Sequence, residues 1–290
     1  MNPQLKLDLD HIITHAEPLL RELDGKCVAL IGFKGFYGSW WHNTISNAEK
    51  ELGIKVATEY CHTRIQDMSA SPLSRAVDYV LHFAHDHNSV KNNVEGMQNV
   101  LDFAVANKVK KVIFASSGAA AQYIDTNTPK GKLGATKLLC EAMGCEYAKK
   151  YGFDFLISRG YSFVGPMMNL DRFAIGQFIK QGLAGGPIIV ENHCTVRGYM
   201  HAADLVISLL NILLRGVSCV PHPSGSAEKY TLLDTAKLVA KEAGTKVVLN
   251  GPSRYADTYV RSHLGNHGVT IGLEEAISRT LNYYRLEAEG

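Results

Sequence analysis

Charge of one sign, paired cysteines and long apolar runs are all missing from this chain of 290 residues. Thirty basic side chains against 28 acidic ones leave a formal net charge of +2. That balance points to no polyanionic partner and argues against nucleic acid. No run approaches the roughly 18 consecutive apolar residues that cross a bilayer. Residues 1–10 carry Lys6, Asp8 and Asp10, unlike the apolar stretch of a secretory leader. The six cysteines (Cys27, Cys61, Cys140, Cys145, Cys194, Cys219) form no Cys-x-x-Cys pair, so reduced, packed thiols are expected in place of disulfides or a zinc site. No internal repeat or low-complexity tract is visible. The expectation is a soluble, cytoplasmic globule with no membrane segment and no bound metal.

What is present is a regular alternation. Residues 9–23 place Ile12, Ile13, Ala16, Leu19, Leu20 and Leu23 at helical spacing, and Asp24-Gly25 ends the pattern. Cys27-Val28-Ala29-Leu30-Ile31 is a continuous apolar run, as a strand covered on both faces requires. Helices over 39–52, 90–107 and 134–151 then alternate with strands over 54–60, 78–83, 111–116 and 154–158. Such alternation implies βαβ units, a parallel sheet and right-handed crossovers. After Pro166 the rhythm changes. Helices over 173–183, 201–215, 230–243 and 273–289, with strands over 188–191 and 247–250, predict a mixed α/β lobe.

Gly32-Phe33-Lys34-Gly35-Phe36-Tyr37-Gly38 directly follows the first strand and opens a helix. Gly32 permits the tight turn, Gly35 lets the backbone approach a pyrophosphate, and Gly38 lets the helix pack closely. The helix start offers N–H groups and partial positive charge to phosphates. This strand–turn–helix context marks a dinucleotide site, with Gly32, Lys34, Gly35, Phe36, Tyr37 and Gly38 around the cofactor. Glu59 lies 21 positions after Gly38. An acid there bonds the adenosine ribose hydroxyls and favours NAD. Lys34, His62 and Arg64 pull the other way, toward a 2′-phosphate, so NADP stays open.

The fold class is therefore α/β: a Rossmann-type doubly wound parallel sheet with a smaller C-terminal mixed α/β lobe. The expected organisation is an N-terminal helical extension over 1–25 and a dinucleotide-binding domain over 26–166. Residues 196–222 return to that domain, and 167–195 and 223–290 form a substrate-binding lobe.

Further motifs follow in order: Asp78-Tyr79-Val80-Leu81-His82-Phe83-Ala84, Asn93-Val94-Glu95-Gly96 and Val112-Ile113-Phe114-Ala115-Ser116-Ser117-Gly118. After these come Gly134-Ala135-Thr136-Lys137, Arg159-Gly160-Tyr161-Ser162-Phe163-Val164-Gly165-Pro166 and Val196-Arg197-Gly198-Tyr199-Met200-His201. In this order they resemble the extended short-chain dehydrogenase/reductase superfamily, within it the NAD-dependent epimerase/dehydratase family that acts on nucleotide-linked sugars. The resemblance implies that Ser117 bonds the sugar's reacting oxygen. Lys137 would hold the nicotinamide ribose, and Ala84 would border the cofactor. Asn93, Tyr161 and Arg197 would belong to the substrate site, with Arg197 on the diphosphate, a role suited to a guanidinium fork.

One position departs from the family. A tyrosine normally stands four residues before the lysine and removes the proton of the sugar hydroxyl, its pKa lowered by the lysine and the nicotinamide. Here that position is Leu133, which has no proton to exchange. Tyr123, Tyr161, His85 and His87 are the candidates to replace it, each weighed against a plain packed aromatic or a solvated loop histidine. His82-x-x-His85-x-His87 does not have the geometry of a metal site. The link over 61–77 is short for the strand and aspartate that usually meet adenine, with Asp67 as a substitute. The stretch 117–133 lacks the acids with which dehydratases eliminate water.

The resemblance thus implies an NAD(P)-dependent nucleotide-sugar enzyme of epimerase, dehydratase or ketoreductase type, with altered acid–base chemistry, in surface-polysaccharide or deoxysugar biosynthesis. The alternative is a catalytically silent paralogue that binds dinucleotide or nucleotide-sugar as a partner or regulatory subunit. A nucleotide-diphosphosugar is the implied ligand. A homodimer through a four-helix bundle of helices 92–107 and 134–150 is the implied assembly, with Ala135, Ala142 and Ala148 permitting close approach.

Overall fold

The computed structural model describes residues 1–289 apart from 70, 72, 123–124, 255 and 263–269. Helix α1 (Pro3–Arg21) begins ahead of the amphipathic stretch, with Pro3 in the first turn, where a missing N–H is harmless. Strand β1 (Cys27–Ile31) is buried along its whole length. Helix α2 (Phe36–Leu52) runs back to Gly53, whose φ of 68° ends it. Strand β2 (Ala57–Cys61) and strand β3 (Tyr79–His82) are joined by a link whose described part holds one 3-10 turn, Ile65–Asp67.

Helix α3 (Val90–Ala106) starts at Ser89, whose hydroxyl accepts from Asn92 N–H. Strand β4 (Lys111–Ser117), the short helix α4 (Ala119–Gln122), helix α5 (Pro129–Tyr151) and strand β5 (Asp154–Gly160) follow. Thr128 caps α5, which therefore begins earlier than its apolar pattern suggests. The rest of the chain is β6 (Ser162–Val164), α6 (Ala174–Leu183), β7 (Ile188–Val190), β8 (Val196–Arg197), β9 (Tyr199–His201), α7 (Ala202–Arg215), β10 (Pro221–Ser224), β11 (Tyr230–Thr231), α8 (Leu232–Ala243), β12 (Val247–Leu249), β13 (Thr258–Tyr259) and α9 (Leu273–Glu289).

Two compact units result. One holds residues 15–160 and 208–223, the other residues 1–14, 161–207 and 224–290. The first 14 residues thus cluster with the C-terminal lobe, and the returning segment is 208–223, where the sequence suggested a separate extension and a return over 196–222.

The sheet unit carries six strands in the order β10-β5-β4-β3-β1-β2. β1, β2, β3, β4 and β5 pair in parallel, with Ala29 beside Glu59 and Val80, and Ser117 beside Gly160. The order reverses between β1 and β3, and such a switch point opens a crevice at the carboxyl ends of the strands. The short β2–β3 link is fastened to α3, because Asn99 Nδ2 donates to Ile65 O at 3.0 Å and Gln66 O at 2.9 Å. The core on this face runs through Val80, Met97, Val100, Val112, Phe114 and Phe155.

The C-terminal unit is built on smaller pieces: a three-stranded sheet β11-β8-β13 and the pairs β12-β7 and β6-β9. Helix α8 begins with a reciprocal cap, Thr231 accepting from Asp234 N–H while the Asp234 carboxylate accepts from Thr231 N–H.

Candidate functional site

The glycine loop forms where β1 runs out. Gly32 has φ +90°, and a Cβ there would lie 2.5 Å from Ala84 N. The loop can therefore cross the end of β3 only as glycine. Gly38 is buried, and its Cβ would lie 2.4 Å from both Gly32 O and Phe33 Cα. Its role is to seat the first turn of α2 on the loop. Gly35 is the N-cap of α2 and places no side chain over the helix end.

A cleft of about 560 Å³ opens at this point, bounded by Gly32, Lys34 and Gly35 on one side, Cys61 to Gln66 on another, and Ala84 to Asn88 on the third. This is the crevice that the strand order calls for. Phe36, Tyr37, Gly38 and Glu59 are not among its lining residues. The Tyr37 ring packs on Phe83 at 5.4 Å. Glu59 sits within β2, two residues before its end, and lies 3.7 Å from Arg75. Asp67 does not line the cleft either.

Lys137 has a different setting. It is buried on α5, and its ammonium donates to Ala115 O at 2.7 Å and stands 4.6 Å from the centre of the Phe114 ring. With His82, Ala84, His85, Asn93 and Thr136 it borders a cavity that leaves no room for a water molecule. Burial drives its pKa down to about 8, against the pull of Cys140 and Glu141. His82 stacks on Phe114 at 5.3 Å, and burial together with Lys137 pushes its pKa down to about 3. The cleft and this cavity share two residues, Ala84 and His85.

Asn93 is occupied by its own loop. Its Nδ2 donates to Asp86 O at 2.6 Å and Ser89 O at 2.7 Å, and its Oδ1 accepts from Asp86 N at 2.9 Å. Ser117 ends β4, and its hydroxyl accepts from Ala119 N–H at 3.2 Å. Leu133 lies half-buried on α5, one turn before Lys137. The His85 and His87 rings meet edge to face at 4.7 Å. Among the described residues no three His, Cys, Asp or Glu side chains are placed to hold a metal. Tyr123 lies outside the described residues.

Reading the sequence missed a buried ionic group behind the strand ends. Arg159 donates to Glu141 through Nε at 2.9 Å and Nη2 at 2.5 Å, and the Ser116 hydroxyl donates to the same carboxylate. Glu141 is 4% exposed. The signal available was the spacing: Glu141 follows Lys137 by one helical turn, on the buried side of α5.

In the C-terminal unit, Arg197 on β8 pairs with Asp257 at 2.9 Å and donates to Val196 O at 2.8 Å. Its guanidinium stands 6.0 Å from the Tyr259 ring, which packs on Tyr161 at 5.0 Å. Arg261, just beyond β13, is 6% exposed, and burial holds its guanidinium below the usual range. No pattern in the sequence singled out Arg261.

A family model described as the NAD dependent epimerase/dehydratase family matches residues 28–220, well over half the chain. UDP-glucuronic acid decarboxylase 1 of Xenopus tropicalis is 22% identical over 316 aligned residues, covering 93% of this chain and 75% of that protein. The UDP-glucose 4-epimerase of Thermotoga maritima, solved with UDP-glucose, has a TM-score of 0.75 at 19% identity over 90% of this chain and 99% of its own. The Bordetella bronchiseptica enzyme WbmF, in complex with NAD+ and UDP, has a TM-score of 0.75 at 17% identity over 92% and 94%. At these identities the likeness to solved structures establishes the fold.

Proposed function

The chain belongs to the NAD dependent epimerase/dehydratase family, and on that premise we propose that it binds a nicotinamide dinucleotide and modifies a nucleotide-diphosphosugar without a tyrosine base. The observation that carries this reading is the cleft at the switch point between β1 and β3, where Gly32 and Gly35 bring backbone against the space a pyrophosphate fills. Gly32, Lys34 and Gly35 would border the dinucleotide, which would supply reversible hydride exchange with a sugar carbon. The chain's own residues supply binding and proton transfer.

For the proton we assign His85. It borders both the cleft and the Lys137 cavity, and an imidazole exchanges protons near neutrality. Leu133 is excluded by its chemistry. In the C-terminal unit Arg197 and Arg261 are assigned to the diphosphate, with phosphate oxygens replacing Asp257 on Arg197. On α5, Ala135, Leu138, Leu139 and Ala142 follow helical spacing, and the two leucines are 42% and 48% exposed. This apolar stripe supports a homodimer. Leu138→Glu is expected to shift the mass in light scattering from dimer to monomer.

The described residues contain no helix long and apolar enough to cross a membrane. A reducing, cytoplasmic setting suits the free thiols, and surface-polysaccharide or deoxysugar biosynthesis suits a nucleotide-sugar substrate. The test is turnover against a panel of UDP-, GDP-, CDP- and dTDP-sugars, followed by mass spectrometry and by absorbance of the reduced nicotinamide. Product is expected from at least one sugar, and His85→Ala should lower the rate by about 100-fold. Full activity in His85→Ala refutes the assignment of the base.

One observation favours a second reading. The Lys137 ammonium donates to Ala115 O, and Lys137 is not among the residues that line the glycine-loop cleft. A chain that binds dinucleotide or sugar nucleotide without turnover, as a partner or regulatory subunit, accounts for this and for Leu133 together. A flat panel in the presence of bound dinucleotide supports it, as does activity gained on Leu133→Tyr.

A further inference from the structure

The far wall of the glycine-loop cleft carries cations where an acid is needed to read ribose hydroxyls. Strand β2 ends at Cys61, and the next three residues, His62, Thr63 and Arg64, line the cleft with Lys34 of the loop. The Phe33 ring holds these two segments together, packing edge-on against Tyr60 at 5.2 Å and His62 at 5.0 Å. Glu59 is beside Ala29 in the ladder while Cys61 is beside Ile31. At about 3.3 Å per residue it stands roughly 7 Å short of the strand end, with Arg75 as its counter-charge.

The acid that does line the cleft, Asp86, belongs to the loop after β3 and is engaged there. It accepts from Asn88 N–H at 2.9 Å and Asn92 Nδ2 at 2.7 Å. Among the described residues neither Lys34 nor Arg64 has a carboxylate partner. Two cations thus line adjoining sides of the cleft without a carboxylate partner, and the acid that lines it, Asp86, is already held by Asn88 and Asn92. A dianion is the group that fits: the Arg64 fork can take two oxygens and Lys34 adds a point charge.

We propose that this cleft selects the dinucleotide bearing a 2′-phosphate, NADP(H) over NAD(H). The proposal rests on the dinucleotide reading above and adds Arg64 and Lys34 as its specificity determinants. The experiment is fluorescence titration of the full chain with NADPH and NADH, with competition by adenosine 2′,5′-bisphosphate and by 5′-AMP.

NADPH is expected to bind at least about tenfold more tightly, and the bisphosphate to compete better than 5′-AMP by a similar factor. The preference should shrink in high salt, since the wall is exposed. Arg64→Ala should remove most of the ratio, the loss falling on NADPH, and Arg64→Ala with Lys34→Ala should abolish it. Glu59→Gln should leave the ratio unchanged. Equal or tighter binding of NADH overturns the preference while the dinucleotide site stands. Loss of NADH affinity in Glu59→Gln overturns it as well, by showing that the acid reads the ribose. If neither dinucleotide binds, the dinucleotide reading falls and the preference with it.

Discussion

The glycine-loop cleft and the cavity around Lys137 share Ala84 and His85 within one sheet unit, yet they are assembled by different means. The cleft is made by consecutive backbone: a strand end, a turn with glycine at φ +90°, and a helix start. The cavity is made by side chains from β3, β4, α3 and α5, brought together only by packing. The cleft keeps its charges, Lys34 and Arg64, in contact with water. The cavity takes a lysine out of water and weakens its charge. The first region therefore has its shape set by an unbroken local motif, while the second, whose motif carries Leu133 in place of tyrosine, has its chemistry set by packing.

The largest way to break this contrast is Glu141→Ala. It strips the carboxylate from Arg159 and Ser116 behind the strand ends, and breaking a buried pair of this kind costs about 4 kcal/mol. Urea unfolding should show the loss. A change within about 0.5 kcal/mol would mean that the group adds little, as surface pairs do.

Next is Gly32→Val. The substitution forces a branched side chain into a positive φ and against the backbone of Ala84. Strain of ~2.7 kcal/mol corresponds to about a 100-fold loss of dinucleotide affinity. Fluorescence titration of NAD(P)H measures it, and near-normal binding would separate the cleft from the cofactor.

The smallest effect concerns Lys137. Its pKa in the fold is about 8 against an ordinary 10.5. Between those values the unfolded chain holds the proton more firmly. Stability contributed by this group therefore rises as pH goes from 8 to 10.5, on the order of 2 kcal/mol. Lys137→Met should flatten that rise in denaturation curves taken across the window. A rise that survives the substitution would assign it to other groups.

The parallel sheet was readable because a two-sided apolar strand such as Cys27-Val28-Ala29-Leu30-Ile31 and a helical stripe such as Val94, Met97, Val100, Leu101 and Ala104 are local periodicities. The short strands of the C-terminal unit, such as Val196–Arg197 and Tyr230–Thr231, were not anticipated. Two residues hold no period, and their pairing depends on partners distant in sequence. The same limit applied at the site. Glu59 has the spacing of a ribose acid, yet where a strand ends is decided by its ladder, and the ladder ends at Cys61.

By itself, then, the sequence determined the alternating fold, the glycine turn and the absence of a proton-exchanging group at Leu133, because each depends on residue type or on neighbours within a few positions. Only the tertiary structure decided that Lys137 is buried, that Glu141 and Arg159 meet, and that Glu59 stands short of the end of β2 beside Arg75. Those outcomes depend on desolvation and on contacts between remote segments, which no local pattern records.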